Sequence, residues 1–569
     1  MLLSLVLTVP FLLLVAAGIV MIGGRIPLIT RAKAASYPIG LAFLCAIGTL
    51  TLVASQGPVT VRFYDPASVT SFIIPIGFYV DRLSAIMMTL ITGVGIIIYC
   101  YSITYMYQDL HARRYLTLIC LTDFVLICMV SSGNLMMLFL FWQILSYLLY
   151  LLAHNHVHSG TLGGAFKTFT LLRVADTAFL GGIVLAYQLY GTLEFQELFA
   201  RAAAAMPTTL SILPWMEVNA TTAVTFLLFI GAMGKSAQFP LHLWLPGSLF
   251  APTPVHALLH AGIINAGGFL INRLAPLFGM SSTTLHIAFV IGTLTAALGA
   301  TMMLAQNDIK KTLGFSTIGQ MGYMIMECGL GAFSLAVFHL IAHGLFKATV
   351  FLNCGNVIHK ARQEPHFPPM GLEDEEVGFS RLTWSTGFVT TLFIPLLILL
   401  VTHGVLRIPL LESQGTVIIL FFIWITSSQA ILTLTRLRAV ASWKVSAIML
   451  LTLLFIVFVY LFAVESFTAF LYPDPAEVAS YFKAADLPDW LFDLIVVAAA
   501  LMTIFGWTYL YLRAHGRTVR IPAWIDGLRI RLYTVFLNRI YADELYQLIG
   551  SMTAQLVHRI DKLERGWSR

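Results

Sequence analysis

Three ionisable side chains recur every four residues in one apolar stretch: His339, His343 and Lys347. Residues four apart lie on one face of an α-helix, so this spacing predicts a single stripe of titratable groups. Each such group is costly to bury in a membrane without a partner or water, and imidazole changes its charge near neutral pH. The stripe therefore predicts a proton relay. The alternatives are ordinary interhelical hydrogen bonds, or a zinc site at the two histidines that would need ligands from other helices.

A second candidate site is organised around Lys235, which lies in an apolar run of helical length. The run is interrupted by four prolines, Pro240, Pro246, Pro252 and Pro254. Proline breaks helices, and a break inside a bilayer persists only where protein or trapped water satisfies the freed backbone groups. An ionisable residue beside a broken helix indicates an ion path near the membrane midplane. His256 and His260, four residues apart beyond the break, either continue that path or are simply hydrogen-bonded.

Arg173 and Asp176 are three residues apart and share one helix face, so they can pair. Two interpretations stay open here. The pair is either an internal ion pair only, or Asp176 also influences the protonation of a nearby lysine.

Composition places these residues in a membrane. Hydrophobic residues make up 59% of the chain and charged residues 11%, with a mean hydropathy of +0.86, whereas soluble domains are about 25% charged. The formal charge of +6 fits basic cytoplasmic loops and not a nucleic-acid surface. The six cysteines form no CxxC pair, which indicates neither an iron–sulfur cluster nor a disulfide framework. We expect no cofactor in this chain.

Hydropathy predicts an all-α polytopic protein with about fifteen transmembrane helices, at about 20 residues per span. The segment from Met1 to Ile22 lacks a basic start, which favours a first membrane helix over a signal peptide. Lysine and arginine concentrate in alternate loops, which predicts an outside N-terminus and a cytoplasmic C-terminus. The tail from Ile521 mixes charges with regular apolar residues, which favours an amphipathic helix over a soluble tail.

Three stretches resemble the antiporter-like subunits of respiratory complex I and of Mrp cation/proton antiporters. They are GKSAQFPLHLWLPG with APTPVHALLHA, then NDIKKTLGFSTIGQMGYM, then FHLIAHGLFKATVFLNCGNVIH. The resemblance returns in NRIYADELYQLI near the C-terminus. It implies two inverted five-helix repeats with broken helices, joined by buried charges and water. The implied units are N-terminal helices 1–110, a first repeat 111–278, a second repeat 279–440, C-terminal helices 441–515 and a cytoplasmic amphipathic tail 516–569.

The resemblance also implies a role for each position. Lys235 is the switching lysine on the broken helix, His260 is the next link, and Lys347 is the central lysine. The complete predicted proton or cation pathway is Lys235, His260, His339, His343, Lys347, Asp176, Arg173, Asp123, His256 and Lys311.

Departures from the family are equally informative. Gln143 in FWQILSY stands where the family has the glutamate that partners the lysine. Asp123, one helix earlier, is either its substitute or a locally hydrogen-bonded acid. Residues 380–403, the expected second broken helix, contain no lysine or glutamate as an exit group, and His403 lies only at their edge. The chain ends before the long lateral helix that the distal complex I subunit has. We therefore expect this antiporter-like subunit to function outside the distal position of complex I.

These features resemble the shorter DabB-type subunits of two-component inorganic carbon transporters. The resemblance implies a bacterial inner-membrane subunit that conducts H⁺ or Na⁺ and energises CO₂ or bicarbonate uptake. The partner would be a large DabA-like subunit with a carbonic-anhydrase-like zinc site, so zinc belongs to the partner and the chain by itself is not expected to be an enzyme. The alternatives are a proton-pumping subunit of NADH-quinone oxidoreductase, an Mrp-type Na⁺/H⁺ antiporter subunit and a structural scaffold.

Overall fold

The structure is a computed structural model. Apart from a few isolated positions, it describes residues 2–22, 26–64, 75–153, 159–206, 208–213, 216–248, 251–363, 462–495 and 523–541. Eight helices in this part of the chain are long and apolar enough to cross a membrane. The prediction of an all-α polytopic membrane fold is confirmed. The predicted second broken helix at 380–403 lies outside the described residues, as does nearly all of the sequence from there to residue 461.

The first six long helices follow the apolar segments of the sequence. They are α1 (Leu2–Met21), α2 (Leu28–Gln56), α3 (Arg82–Tyr105), α4 (Ala112–Val130), α5 (Leu135–Ala153) and α6 (Ser159–Tyr190). A short amphipathic helix, α7 (Phe195–Ala204), follows them. The start of α3 is set by Asp81, whose carboxylate accepts a hydrogen bond from the backbone N–H of Ser84 at 2.9 Å. Helix α4 packs against α1, α3 and α5, which places it inside the bundle.

The proline-rich region is a series of short helices, as predicted for a broken span. In chain order they are α8 (Ala220–Lys235), a 3₁₀ turn (Leu241–Leu243), α9 (Trp244–Gly247), α10 (Thr253–Leu258), a π-helical turn (Leu259–Ile263), α11 (Ala266–Arg273) and α12 (Ala275–Phe278). Helix α8 ends at Lys235, and Ala237 then takes a positive φ of 49°. Residues Thr253–Arg273 are completely buried in the bundle, so protein surrounds the irregular backbone.

After the broken region the structure describes three long helices and three later, shorter ones. They are α13 (Ser282–Ala305), α14 (Ile309–Gly329), α15 (Phe333–Gln363), α16 (Phe462–Leu471), α17 (Pro475–Ala485) and α18 (Ala523–Leu537). Helices α13 and α14 pack closely because glycine faces backbone at their crossing: a β-carbon on Gly292 would lie 2.4 Å from the Met326 backbone nitrogen. Helix α18, in the predicted tail, contacts α13.

Two short antiparallel hairpins in the connecting segments were not predicted. Strand β1 (Val59–Tyr64) pairs with β2 (Ile76–Val80), and β3 (Thr209–Leu213) pairs with β4 (Met216–Asn219). An ion pair of 2.7 Å between Arg62 on β1 and Glu194 beside α7 ties the first hairpin to the connection after α6. We call this end of the bundle, where α4, α6 and α14 end and α5, α8 and α15 begin, the hairpin end.

Candidate functional site

Lys235 is fully enclosed at the point where α8 stops. The residue is 1% exposed, and its Nζ donates hydrogen bonds to the Trp142 carbonyl oxygen at 3.1 Å and to the Ser146 hydroxyl, both on α5. The same nitrogen lies 4.9 Å from the centre of the Trp142 ring. Because α8 ends here, irregular backbone follows Lys235 along the chain, while its side chain extends onto α5.

Trp142 also connects Lys235 to an acid. Its indole Nε1–H donates to Asp176 Oδ1 at 2.7 Å, and the other oxygen of that carboxylate lies 2.6 Å from Arg173 Nη2. The predicted pair between Arg173 and Asp176 is therefore present. These four residues form one connected group, in which Asp176 reaches the lysine through a neutral ring.

The two residues that the sequence offered in place of the family glutamate do not bind the lysine. Gln143 is half-buried, and both hydrogen bonds of Lys235 go to other residues of α5. Asp123 is 1% exposed and faces α3 at Gly95, where a β-carbon would lie 2.5 Å from its Oδ2. Neither oxygen of Asp123 accepts a hydrogen bond within the described residues. A role for Asp123 in ion movement stays a prediction.

Beyond the break, two histidines pack on one aromatic ring. The His260 ring stacks on Phe351 of α15 with centroids 4.4 Å apart and planes at 5°, and His256 stacks on the same ring at 5.6 Å. His260 lies in the π-helical turn, and neither of its ring nitrogens is hydrogen-bonded within the described residues. Phe351 therefore links the broken segment to the helix that carries the predicted relay.

The stripe on α15 faces α14. Lys347 Nζ donates to the Ser316 hydroxyl at 2.9 Å. The ring of His343 lies 6.3 Å from that of His339, and neither nitrogen of His343 has a hydrogen-bond partner in the described part of the chain. His339 Nδ1 lies 3.1 Å from Glu327 Oε2, and its Nε2 lies 3.0 Å from Gln320 Oε1. Along this face of α15, Lys347 and His339 are therefore hydrogen-bonded to α14, and His343 between them is not hydrogen-bonded within the described residues.

Several contact residues were missed by the sequence analysis. Glu327 carried a usable signal, because it is a glutamate inside an apolar helix. No sequence signal marked the four neutral contact residues, because such residues are ordinary in membrane helices; they are Ser146, Gln320, Ser316 and Phe351.

Lys311 lies apart from these contacts. It sits in the first turn of α14, at the end opposite the hairpins, where Asp308 caps its backbone N–H at 3.0 Å. Among the described residues, no group of three or more His, Cys, Asp or Glu residues is arranged to hold a metal ion.

Comparison with known proteins identifies the family. A family profile described as "NADH:quinone oxidoreductase/Mrp antiporter, TM" matches residues 132–433, and one described as "NADH-Ubiquinone oxidoreductase (complex I), chain 5 N-terminus" matches residues 67–116. The chain is 40% identical to "Probable inorganic carbon transporter subunit DabB1" of Halothiobacillus neapolitanus, over 88% of this chain and 90% of that protein. It is 38% identical to NADH-quinone oxidoreductase subunit L of Neisseria meningitidis, over 56% of this chain and 47% of that protein.

Solved structures show the same fold at lower identity. Respiratory complex I from Thermus thermophilus matches with a TM-score of 0.52 and 19% identity, over 94% of this chain and 99% of that one. The membrane-bound sulfane sulfur reductase, an archaeal respiratory complex, matches with a TM-score of 0.53 and 20% identity, over 91% and 96%. The family profile matches more than half of the chain, and the alignment with DabB1 covers most of both proteins. Both are consistent with the broken helix and the buried charged residues described above. The chain belongs to the antiporter-like membrane subunits of the NADH:quinone oxidoreductase/Mrp antiporter family, as a multi-pass protein of ion transport.

Proposed function

We propose that this chain conducts H⁺ or Na⁺ across a bacterial inner membrane and thereby energises an inorganic carbon transporter. Its partner would be a large DabA-like subunit that handles CO₂ or bicarbonate at a zinc site. The similarity to DabB1 over most of both chains supports this choice. The observation that carries ion conduction is the row of enclosed ionisable groups, from Asp176 and Lys235 through His260 to the stripe on α15.

Burial explains why these groups would act in transport. A charged group inside a membrane bundle is costly, yet Lys235, His260, His343 and Lys347 are all buried. The free-energy cost of burying each group is lower when it can release its charge to a neighbouring group or when water can reach it. We infer that protonation alternates between Lys235 and the stripe at 339, 343 and 347, with water arriving from opposite ends.

Coupling to the partner would be electrostatic. A charge that moves in the partner changes the equilibrium of a nearby ion pair, which changes the next group along the row. Arg173 is the natural first contact, because its side chain is 32% exposed while its partner Asp176 is 6% exposed. Such coupling is reciprocal, so substrate binding in the partner and ion binding in this chain would influence each other.

Growth in air of a strain that lacks carbonic anhydrase tests the proposal. We expect co-expression of this chain with its partner to restore growth, and both a protonophore and Lys235→Ala to abolish it. Lys33→Ala is the matched control, because Lys33 is exposed on α2, and it should leave growth unchanged. Rescue that survives both the protonophore and Lys235→Ala would contradict the proposal.

A second function follows from the similarity to NADH-quinone oxidoreductase subunit L. A proton-pumping subunit of such an enzyme would co-purify with iron–sulfur subunits and with quinone-dependent activity. An Mrp-type subunit would instead restore growth of a salt-sensitive strain. Affinity purification of the full chain from its native membrane separates these outcomes, because the carbon transporter predicts one large zinc-containing companion.

A further inference from the structure

Helices α14 and α15 contain a single acidic residue between them, Glu327 of α14, and it contacts the stripe at His339. Both of its carboxylate oxygens approach His339 Nδ1, at 3.1 and 3.2 Å. On the other side of the imidazole, Gln320 Oε1 lies 3.0 Å from Nε2. With the Gln320 amide oriented so that its oxygen faces the ring, Nε2 carries the hydrogen of this bond. The nitrogen whose proton can be gained or lost is therefore the one that faces Glu327.

The position of Glu327 extends the stripe toward the hairpin end. Lys347 is bound beside Ser316 near the start of α14, and Glu327 lies two residues before the helix ends at Gly329. Between Ser316 and Glu327 the helix rises about 16 Å. The stripe thus runs along the bundle axis. Glu327 of α14 follows His339 as the next ionisable group toward the hairpin end.

Exposure changes along the same direction. Lys347 and His343 are 2% and 5% exposed, whereas the side chains of His339 and Glu327 are 17% and 13% exposed. The two members farther from the hairpin end are less exposed, and the pair nearest that end is more exposed. A group that exchanges ions with water at one end of a pathway needs this intermediate burial.

We propose that Glu327 is a proton-carrying residue that connects His339 to the hairpin end of the bundle. This inference rests on the proposed function. In the step, the proton leaves Nδ1 of the His339 imidazolium and binds a carboxylate oxygen of Glu327. The imidazolium becomes neutral imidazole and the carboxylate becomes a carboxylic acid, so the total charge of the pair is unchanged. Glu327 supplies an acid to the second repeat of a chain in which Gln143 cannot ionise.

A merely structural ion pair between α14 and α15 is the competing explanation, and ion flux separates the two. The full chain, purified with its co-expressed partner, is reconstituted into liposomes that contain a pH-sensitive dye and carry a potassium diffusion potential. Glu327→Gln keeps a hydrogen-bonding side chain but cannot carry a proton, and we expect its flux to fall about tenfold or more. Glu327→Asp should recover a substantial part of the flux. The control is Glu194→Gln, at a half-buried glutamate paired with Arg62, and should behave as wild type. Wild-type flux in Glu327→Gln would overturn the proposal.

Chemical labelling provides a second readout that does not depend on transport. A hydrophobic carbodiimide modifies a carboxyl group that becomes protonated inside a membrane protein, whereas a permanently ionised carboxylate in an ion pair does not react. We expect peptide mass spectrometry to find the adduct on Glu327 in wild type. The same peptide of Glu327→Gln should carry no adduct. Absence of the adduct in wild type would overturn the proposal. If wild type and Lys235→Ala both lack flux, the proposed function fails, and the labelling result still decides whether Glu327 holds a proton.

Discussion

At the scale of single residues, Trp142 shows how a side chain that cannot ionise connects two that can. Its backbone carbonyl binds Lys235 and its indole binds Asp176, so the charge of the acid is held at a fixed position relative to the lysine. The family arrangement that the resemblance implies would place a glutamate directly next to this tryptophan. Here that neighbour is Gln143, and the acid comes from α6.

This geometry predicts which of two buried acids matters to Lys235. Asp176→Asn keeps the shape of the side chain but removes its charge, and we expect proton flux in liposomes to fall about tenfold, within the usual range for coupled sites. Asp123→Asn is the matched change on α4, and its flux should fall less than that of Asp176→Asn, because Asp123 faces Gly95 of α3 and does not contact Lys235 or Trp142. The reverse order of effects would show that Asp123 is the acid of this chain.

At the scale of helices, the break after Lys235 depends on close packing between short segments. The Ser236 hydroxyl donates to the Ile264 carbonyl oxygen at 2.8 Å. A β-carbon on Gly267 of α11 would lie 2.3 Å from the Ala232 carbonyl oxygen and 2.4 Å from the Ser236 hydroxyl. Helix α11 therefore touches the last turn of α8 directly, and this contact holds Lys235 and the histidines of the next segment in one relative position.

Gly267→Ala tests this contact. The added methyl group has no space, and we expect it to lower the free energy of unfolding by about 1 to 3 kcal/mol through overpacking. The unfolding of the purified protein in mixed micelles measures the change. Gly40→Ala is the control, since Gly40 lies in α2 with nothing near its absent β-carbon, and it should be neutral or slightly stabilising. Equal destabilisation by both substitutions would argue against a special contact at Gly267.

At the scale of the whole molecule, the hairpin end ties separate parts of the bundle together. Arg273, at the end of α11, is 5% exposed and binds both oxygens of Asp81, at 2.7 and 3.1 Å. Asp81 in turn caps α3, so one ion pair connects the broken segment to the N-terminal helices. Farther along the chain, Arg82 donates to the Phe470 carbonyl oxygen of α16 at 2.6 Å.

The ion pair between Asp81 and Arg273 predicts how stability depends on pH. Burial alone would raise the pKa of the Asp81 carboxyl, but the charge and hydrogen bonds of Arg273 and the hydrogen bonds from Ser84 hold this pKa below its ordinary value of 3.8. A carboxyl whose pKa is lower in the folded state stabilises the fold above its unfolded-state pKa, and loses this contribution as the pH falls through the folded-state value.

We therefore expect Asp81→Asn to destabilise the protein at pH 7 by about 3 kcal/mol, because it leaves a buried arginine without its counter-charge. The difference from wild type should shrink below about pH 4, as Asp81 becomes protonated. Thermal unfolding of both proteins at pH 7 and pH 3.5 measures it. Glu194→Gln, which breaks the more exposed pair with Arg62, should cost less than about 1 kcal/mol. A pH-independent difference at Asp81 would contradict this account.

The sequence by itself determined the membrane class, the break after Lys235 and the stripe at His339, His343 and Lys347. These features depend on neighbours along the chain: hydropathy over one span, prolines within a few residues, and the spacing of four that places side chains on one helix face. The hairpins were missed because their strands are short segments between dominant apolar helices.

Only the tertiary structure decided which groups meet across helices. Asp176 reaches Lys235 through Trp142, Phe351 lies against His256 and His260, and Glu327 faces His339. Each of these pairings depends on the rotation and depth of two helices, and contacts such as the one at Gly267 set both. Spacing within one helix specifies a face, but the partner of that face depends on how separate helices pack.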